Sequence, residues 1–172
     1  MSIGTVVLLP RAHLPGDAAD VVEGDPAAER REIQADLLAH RINVYVVPDT
    51  PYVEDEDLRH ATAHWVAHIA MTLTAAQPEK PILLVAFGAA GRLLAALGFS
   101  QKASRRPVAG YVVVDGSIPK AGAGDWPDAP VTYISTGKLS ETENFRQAEL
   151  RGWTVEKTDN VAAILHEIVA SS

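Results

Sequence analysis

The side chains best suited to acid–base chemistry are His13 and Asp115, which each lie just after an apolar run that predicts a buried strand. A histidine changes charge near neutral pH, and a carboxylate opposite it could take up or return a proton. The plainer interpretation makes His13 a solvated loop residue and Asp115 a residue that caps a turn. Both interpretations stay open, and no other histidine has a comparable position.

A second candidate is the turn Phe87-Gly88-Ala89-Ala90, between a buried apolar run and an apolar helix. Backbone amides in the first turn of a helix can bind an anion or a carbonyl oxygen. We therefore expect the amides of Ala89 and Ala90 to point into a crevice that binds a small molecule. The spacing of Gly88 and Gly91 does not match a dinucleotide-binding fingerprint, and no cofactor is predicted.

Three histidines, His60, His64 and His68, recur at every fourth position of a predicted helix. Histidines four residues apart share a helix face and could bind one metal ion. The row also borders the buried side of that helix at Ala61 and Trp65, which favours a packing or surface role. The chain has no cysteine to complete a site, so we predict no metal centre.

Composition excludes several classes of protein. The chain has 172 residues and a net charge of −7, and an acidic surface repels nucleic-acid phosphates. The absence of cysteine excludes disulfides and thiolate catalysis. No apolar run reaches the roughly 20 residues of a membrane span, and the run 3–9 lacks the basic flank of a signal peptide. We predict a single cytoplasmic domain, residues 1–172, with neither nucleic acid nor a membrane as partner.

Apolar runs and helical patterns alternate along the chain. The first predicted helix begins with Asp25-Pro26, a long one spans 54–76, one follows the turn at Gly88, and a capping box at 140–143 opens another. Asn160 caps the last helix. This alternation predicts an α/β three-layer sandwich, a parallel sheet with helices on both faces. Its six strands are predicted at 5–9, 42–47, 82–87, 108–114, 131–135 and 154–158.

Two helices have apolar stripes that predict their buried sides. The first stripe is Ile33, Leu37 and Leu38, and the second is Leu58, Ala61, Trp65, Ile69, Leu73 and Ala76. The basic cluster from Lys102 to Arg106 is predicted to be a solvated turn. Trp126 and Trp153 are predicted to be packing or loop anchors, and Trp126 lies in a loop that could cover the crevice.

Four segments in order resemble the α/β-hydrolase family, in particular its small cap-less actinobacterial-type members. They are 82–97, 111–115, 129–134 and 151–155. The resemblance starts at the family's third strand and implies the strand order 2-1-3-4-5-6. It also implies that the segment 86–90 is the nucleophile elbow. Gly88 then occupies the nucleophile position, where a glycine cannot attack a substrate.

The departures from the family pattern imply a degenerate catalytic triad. Thr158-Asp159-Asn160 stands where the family has its histidine loop, and Thr136-Gly137-Lys138 where the acid usually follows a strand. Asp115 matches a second position that some members use for the acid. Pro10-Arg11 replaces the His-Gly pair after the first strand.

We therefore expect a non-hydrolytic small-molecule-binding or accessory protein without a cofactor. One alternative is a cofactor-independent cyclase, lyase or isomerase that uses His13 and Asp115. The other is an interaction module with a closed crevice, as a homodimer or with another protein. Ligands bind open α/β sheets beyond the carboxyl ends of the strands, so the predicted ligand-binding residues are Arg11, His13, Tyr52, Phe87, Gly88, Ala89, Ala90, Asp115 and Ser117.

Overall fold

The computed structural model describes residues 2–12, 14, 26–49, 57–119, 126–137 and 142–172. The strands are β1 (Thr5–Leu8), β2 (Val44–Val46), β3 (Ile82–Phe87), β4 (Val108–Val114), β5 (Val131–Ser135) and β6 (Thr154–Lys157). The helices are α1 (Pro26–Ala39), α2 (Leu58–Ala76), α3 (Leu94–Ala103), α4 (Thr142–Leu150) and α5 (Val161–Ala170), and a 3₁₀ helix (Gly88–Leu93) leads into α3.

The six strands form one parallel sheet in the order β2-β1-β3-β4-β5-β6, which confirms the predicted fold class and strand order. Helices α1 and α5 cover one face, through buried side chains such as Leu37 and Leu165. Helices α2, α3 and α4 cover the other, through Trp65, Leu97 and Ala148. Strands buried on both faces explain why their sequences are continuous apolar runs.

Side-chain caps fix where two of the helices begin. The Asn160 side chain accepts a hydrogen bond from the amide of Ala163 (3.1 Å), so the predicted cap of α5 is confirmed. Asp57 caps α2 by accepting from the amide of Arg59 (2.8 Å). These bonds satisfy amides that have no partner inside the helix. The predicted cap Asp25 lies outside the described residues.

Parts of the predicted stripes are wrong. Leu38 and Leu58 are 54% and 48% exposed, and Ala76 is exposed as well. Leu38 stands one residue, about 100° around the helix, from the buried Leu37 and so faces away from the sheet. Leu58 and Ala76 are the end residues of α2, and only the middle of its stripe is buried. Strand β2 begins at Val44 instead of Ile42.

No helix within the described ranges is both long and apolar enough to cross a membrane.

Candidate functional site

The turn after β3 is the segment where the resemblance to a known family implies an elbow. Gly88 has φ +60°, a left-handed conformation that strains any residue with a side chain. Apart from the turn itself, no atom of the described residues lies within 4 Å of the position that a Cβ would take there. Among the described residues, no neighbouring element therefore occupies the place of a side chain at position 88, beyond the carboxyl end of the strand.

The turns after β3 and β4 interlock beside Gly88. The amide of Ser117 donates to the Gly88 carbonyl (3.2 Å). A Cβ on Gly116 would lie 2.5 Å from that carbonyl oxygen, and a Cβ on Gly91 would collide with the Ser117 carbonyl. Both positions need glycine because the backbones approach so closely. This contact places Ser117 beside the turn.

Asp115 is hydrogen-bonded to Thr136, the residue that follows β5. It is 9% exposed, with φ +46°, and its carboxylate accepts from the amide of Thr136 (2.8 Å) and from the Thr136 hydroxyl. The hydroxyl of Tyr133 donates to the Gly116 carbonyl in the same region (2.8 Å). Both Asp115 oxygens are thus engaged in bonds within the protein, the arrangement expected of a residue that caps a turn.

The residues on either side of Gly88 are set into the core. Ala89 and Ala90 are buried among the side chains under α2 and α3, whereas Phe87 is half-buried against the opposite face of the sheet. The 3₁₀ helix has no side-chain hydrogen bond at its N-cap, Phe87. No side chain at that cap thus competes with a ligand for the first amides of this helix.

Arg11 is half-buried after β1 and already has an interaction partner. The predicted site residues His13 and Tyr52 lie outside the described residues. The structure therefore brings Phe87, Gly88 and the residues from 115 to 117 together, while the remaining members of the predicted set stay predictions.

Arg30 lies near the carboxyl end of the sheet, and the sequence pattern did not indicate it as a site residue. It is 4% exposed, and its Nη2 donates to Asp49 Oδ1 (2.6 Å), just after β2. Its Nε and Nη1 have no hydrogen-bond partner in the part of the chain that the structure describes. A buried guanidinium adds positive charge to the carboxyl end of the sheet. Its position in α1 resembles an ordinary polar helix residue, so only the packed structure reveals the burial.

The histidine row on α2 lies at the surface and at the edge of the buried side of the helix. His60 and His64 are exposed, and His60 lies 4.0 Å from Asp57. Across the ranges that the structure describes, no three histidine, aspartate or glutamate side chains come together as metal ligands.

One sequence interpretation is wrong in part at the opposite end of the sheet. Lys102 belongs to α3 and Arg106 is buried, so the solvated turn is limited to Ser104 and Arg105. Trp126 and Trp153 pack as predicted, since the Trp126 ring lies 5.4 Å from the rings of both Tyr111 and Trp153. Trp153 precedes β6, so this aromatic cluster lies at the amino end of the strands. Residues 120–125 of the loop that could cover the crevice lie outside the described residues.

No family model matches the chain, and no curated protein sequence is similar to it. Comparison with solved structures, by contrast, agrees with this topology. Among solved structures, the thioesterase domain of NocB, in covalent complex with a fluorophosphonate nocardicin G analog, shares 13% identity. Its TM-score is 0.56, over 91% of this chain and 84% of that one.

Two further structures align over most of this chain. A hormone-sensitive lipase from a metagenome library has a TM-score of 0.53 and 13% identity, over 92% of this chain and 68% of the lipase. A dienelactone hydrolase-like promiscuous phosphotriesterase from metagenomic libraries has a TM-score of 0.50 and 18% identity, over 91% and 70%. At such identities, the likeness concerns the fold. The chain therefore has an α/β-hydrolase-like fold.

Proposed function

We propose that this protein binds a small molecule in the crevice over Gly88 and does not hydrolyse it. The observation that carries the proposal is the turn at Gly88, which keeps a left-handed conformation and is not covered by another element of the described residues. If the turn had no role in binding, neighbouring side chains could fill the space above it. An uncovered turn leaves room for a ligand above the backbone amides.

The residues at the expected catalytic positions support a role without hydrolysis. Gly88 has no nucleophilic group, and Thr158-Asp159-Asn160 joins β6 to α5 without a histidine. Asp115, which could orient a base, is bound to Thr136 through both oxygens. Acyl transfer by a hydrolase of this fold requires a nucleophile, a base and an orienting acid to act together.

The crevice favours a ligand with a carboxylate or phosphoryl oxygen. The first amides of the 3₁₀ helix are donors, and the buried Arg30 contributes positive charge at the same edge. The similar structures are named as a thioesterase, a lipase and a phosphotriesterase, enzymes whose substrates carry acyl or phosphoryl groups. A protein that retained the fold and lost turnover could still recognise such a group.

The test is a titration of ¹⁵N-labelled protein with butyrate and, separately, with methylphosphonate. We expect saturable shifts of the amide signals of Ala89, Ala90 and Ser117. Gly88→Trp would fill the space above the turn and weaken the binding of the responding probe at least about tenfold.

Gly152→Trp is the matched control. Gly152 also has a positive φ (+75°) and open space around a Cβ position, but it precedes β6 at the other end of the sheet. Its substitution imposes the same kind of backbone strain and should leave the affinity unchanged. An absence of saturable shifts at the three amides, or equal loss in both tryptophan variants, would contradict the proposal.

A further inference from the structure

A pocket lies at the amino end of the sheet, away from Gly88. Its volume is about 330 Å³, and it opens where α3 ends and β4 begins. The described residues that line it are Gly98, Lys102, Arg105, Arg106, Pro107, Val108 and Asp128. Val108 is the first residue of β4, whereas Gly88 follows the last residue of β3. The two sites are therefore separated by the length of the strands.

Three cationic side chains line this pocket without a paired carboxylate. Within the described part of the chain, neither Lys102 nor Arg105 nor Arg106 takes part in an ion pair. Asp128 is the acidic lining residue, and it accepts a hydrogen bond from the Tyr111 hydroxyl (2.7 Å). The pocket therefore has an excess of positive charge.

Arg106 is the most buried of the three cationic residues that line this pocket. The residue is only 8% exposed, and among the described residues its buried Nε has no hydrogen-bond partner. A buried charged group with an unpaired donor is costly, and most such groups in folded proteins are paired. An anion bound in the pocket would lie beside this guanidinium and lower the cost of burying its charge.

Arg105 occupies a position that favours glycine. It has φ +56° at the end of α3, where the amide of Arg106 donates to the Gln101 carbonyl (2.9 Å) and that of Arg105 to the Lys102 carbonyl (3.1 Å). This bonding closes the helix with a left-handed residue, usually glycine. The arginine strains the backbone but adds a cation to the pocket wall.

We propose that this pocket binds a small phosphorylated molecule. Its phosphate would bind Lys102, Arg105 and Arg106, because several guanidinium and ammonium groups together match a doubly charged group of oxygen acceptors. A hydroxyl of the same molecule would donate to Asp128, whose carboxylate borders the pocket. The volume suits a ligand of the size of a sugar phosphate.

Isothermal titration of the full chain, in phosphate-free buffer at low salt, tests the proposal with inorganic phosphate, ribose 5-phosphate and ribose. We expect saturable binding of both phosphates, tighter for ribose 5-phosphate, and none for ribose. Arg105→Gly should raise the dissociation constant at least about tenfold, as expected for the loss of a charge-assisted contact. It should fold at least as well as the wild type, since glycine suits the conformation.

Arg41→Gly is the matched control, because Arg41 also has a positive φ (+59°) and lies before β2, which two strands separate from β4. It removes the same charge and relieves the same strain, so phosphate affinity should stay unchanged. Lys102→Ala, an exposed position on the last turn of α3, should weaken binding without altering the backbone. An absence of saturable phosphate binding, or equal weakening by Arg41→Gly and Arg105→Gly, would overturn the proposal.

Discussion

At the scale of single residues, Gly88 leads to the first prediction. Gly88→Ser places a hydroxyl above the turn, yet no histidine lies between β6 and α5 to activate it. We expect both the wild type and this variant to hydrolyse p-nitrophenyl butyrate at the background rate. Neither should be labelled by a fluorophosphonate probe, as followed by intact mass. Stoichiometric labelling of a serine in the wild-type protein would refute this expectation.

The bonds between Asp115 and Thr136 lead to a second prediction. Asp115→Asn should lower the free energy of unfolding by about 1–2 kcal/mol, because it weakens two charge-assisted hydrogen bonds at a largely buried site. Thr136→Val removes the hydroxyl partner alone. Urea unfolding of both single variants and the double variant measures the coupling. Strictly additive losses would show that the side-chain bond contributes nothing to stability.

At the scale of elements, the cap of α5 can be tested directly. Asn160→Ala should destabilise the protein by about 1 kcal/mol, because the amide of Ala163 loses its acceptor. Asn160→Asp keeps an acceptor oxygen and should cost much less. Thermal unfolding compares the two variants. Equal destabilisation by alanine and aspartate would mean that the cap bond is not the cause.

The elements themselves could largely be predicted from the sequence. Strands such as β3 and β4 are continuous apolar runs, and their order follows from the resemblance to a known fold. The exposure of Leu38 could not be predicted, because an apolar stripe does not reveal which of two adjacent leucines contacts the sheet. Periodicity describes one helix, whereas burial depends on its neighbours.

The candidate sites were predicted unevenly for the same reason. Gly88 and Ser117 follow predicted strands, so topology alone brings them together. The burial of Arg30 and Arg106 could not be predicted, since an arginine is mostly exposed in folded proteins. Their burial arises from packing between segments that are distant in sequence. Local sequence patterns do not show such contacts.

At the scale of the whole molecule, one buried tyrosine makes stability depend on pH. Burial and the neighbouring Asp128 raise the pKa of Tyr111 above its ordinary value of 10.0. Above that value the unfolded chain releases a proton that the native state retains, so the free energy of unfolding should fall as pH rises. Below it, this contribution to stability is fully present.

Tyr111→Phe should make the alkaline decline shallower, although it also removes the hydrogen bond to Asp128 at every pH. Urea unfolding at about pH 8 and about pH 11 measures the difference in slope. Tyr45→Phe, on the edge strand β2, is the control. A decline as steep in Tyr111→Phe as in the wild type would exclude Tyr111 as its source.

The interlocked turns beside Gly88 connect the ends of neighbouring strands below the proposed crevice. The bond between Ser117 and Gly88 ties the end of β3 to that of β4, and Asp115 extends the link through Thr136 to β5. A ligand that pressed on the first turn would displace all three strand ends together. Binding at one point would thus be transmitted along the edge of the sheet, perpendicular to the strands.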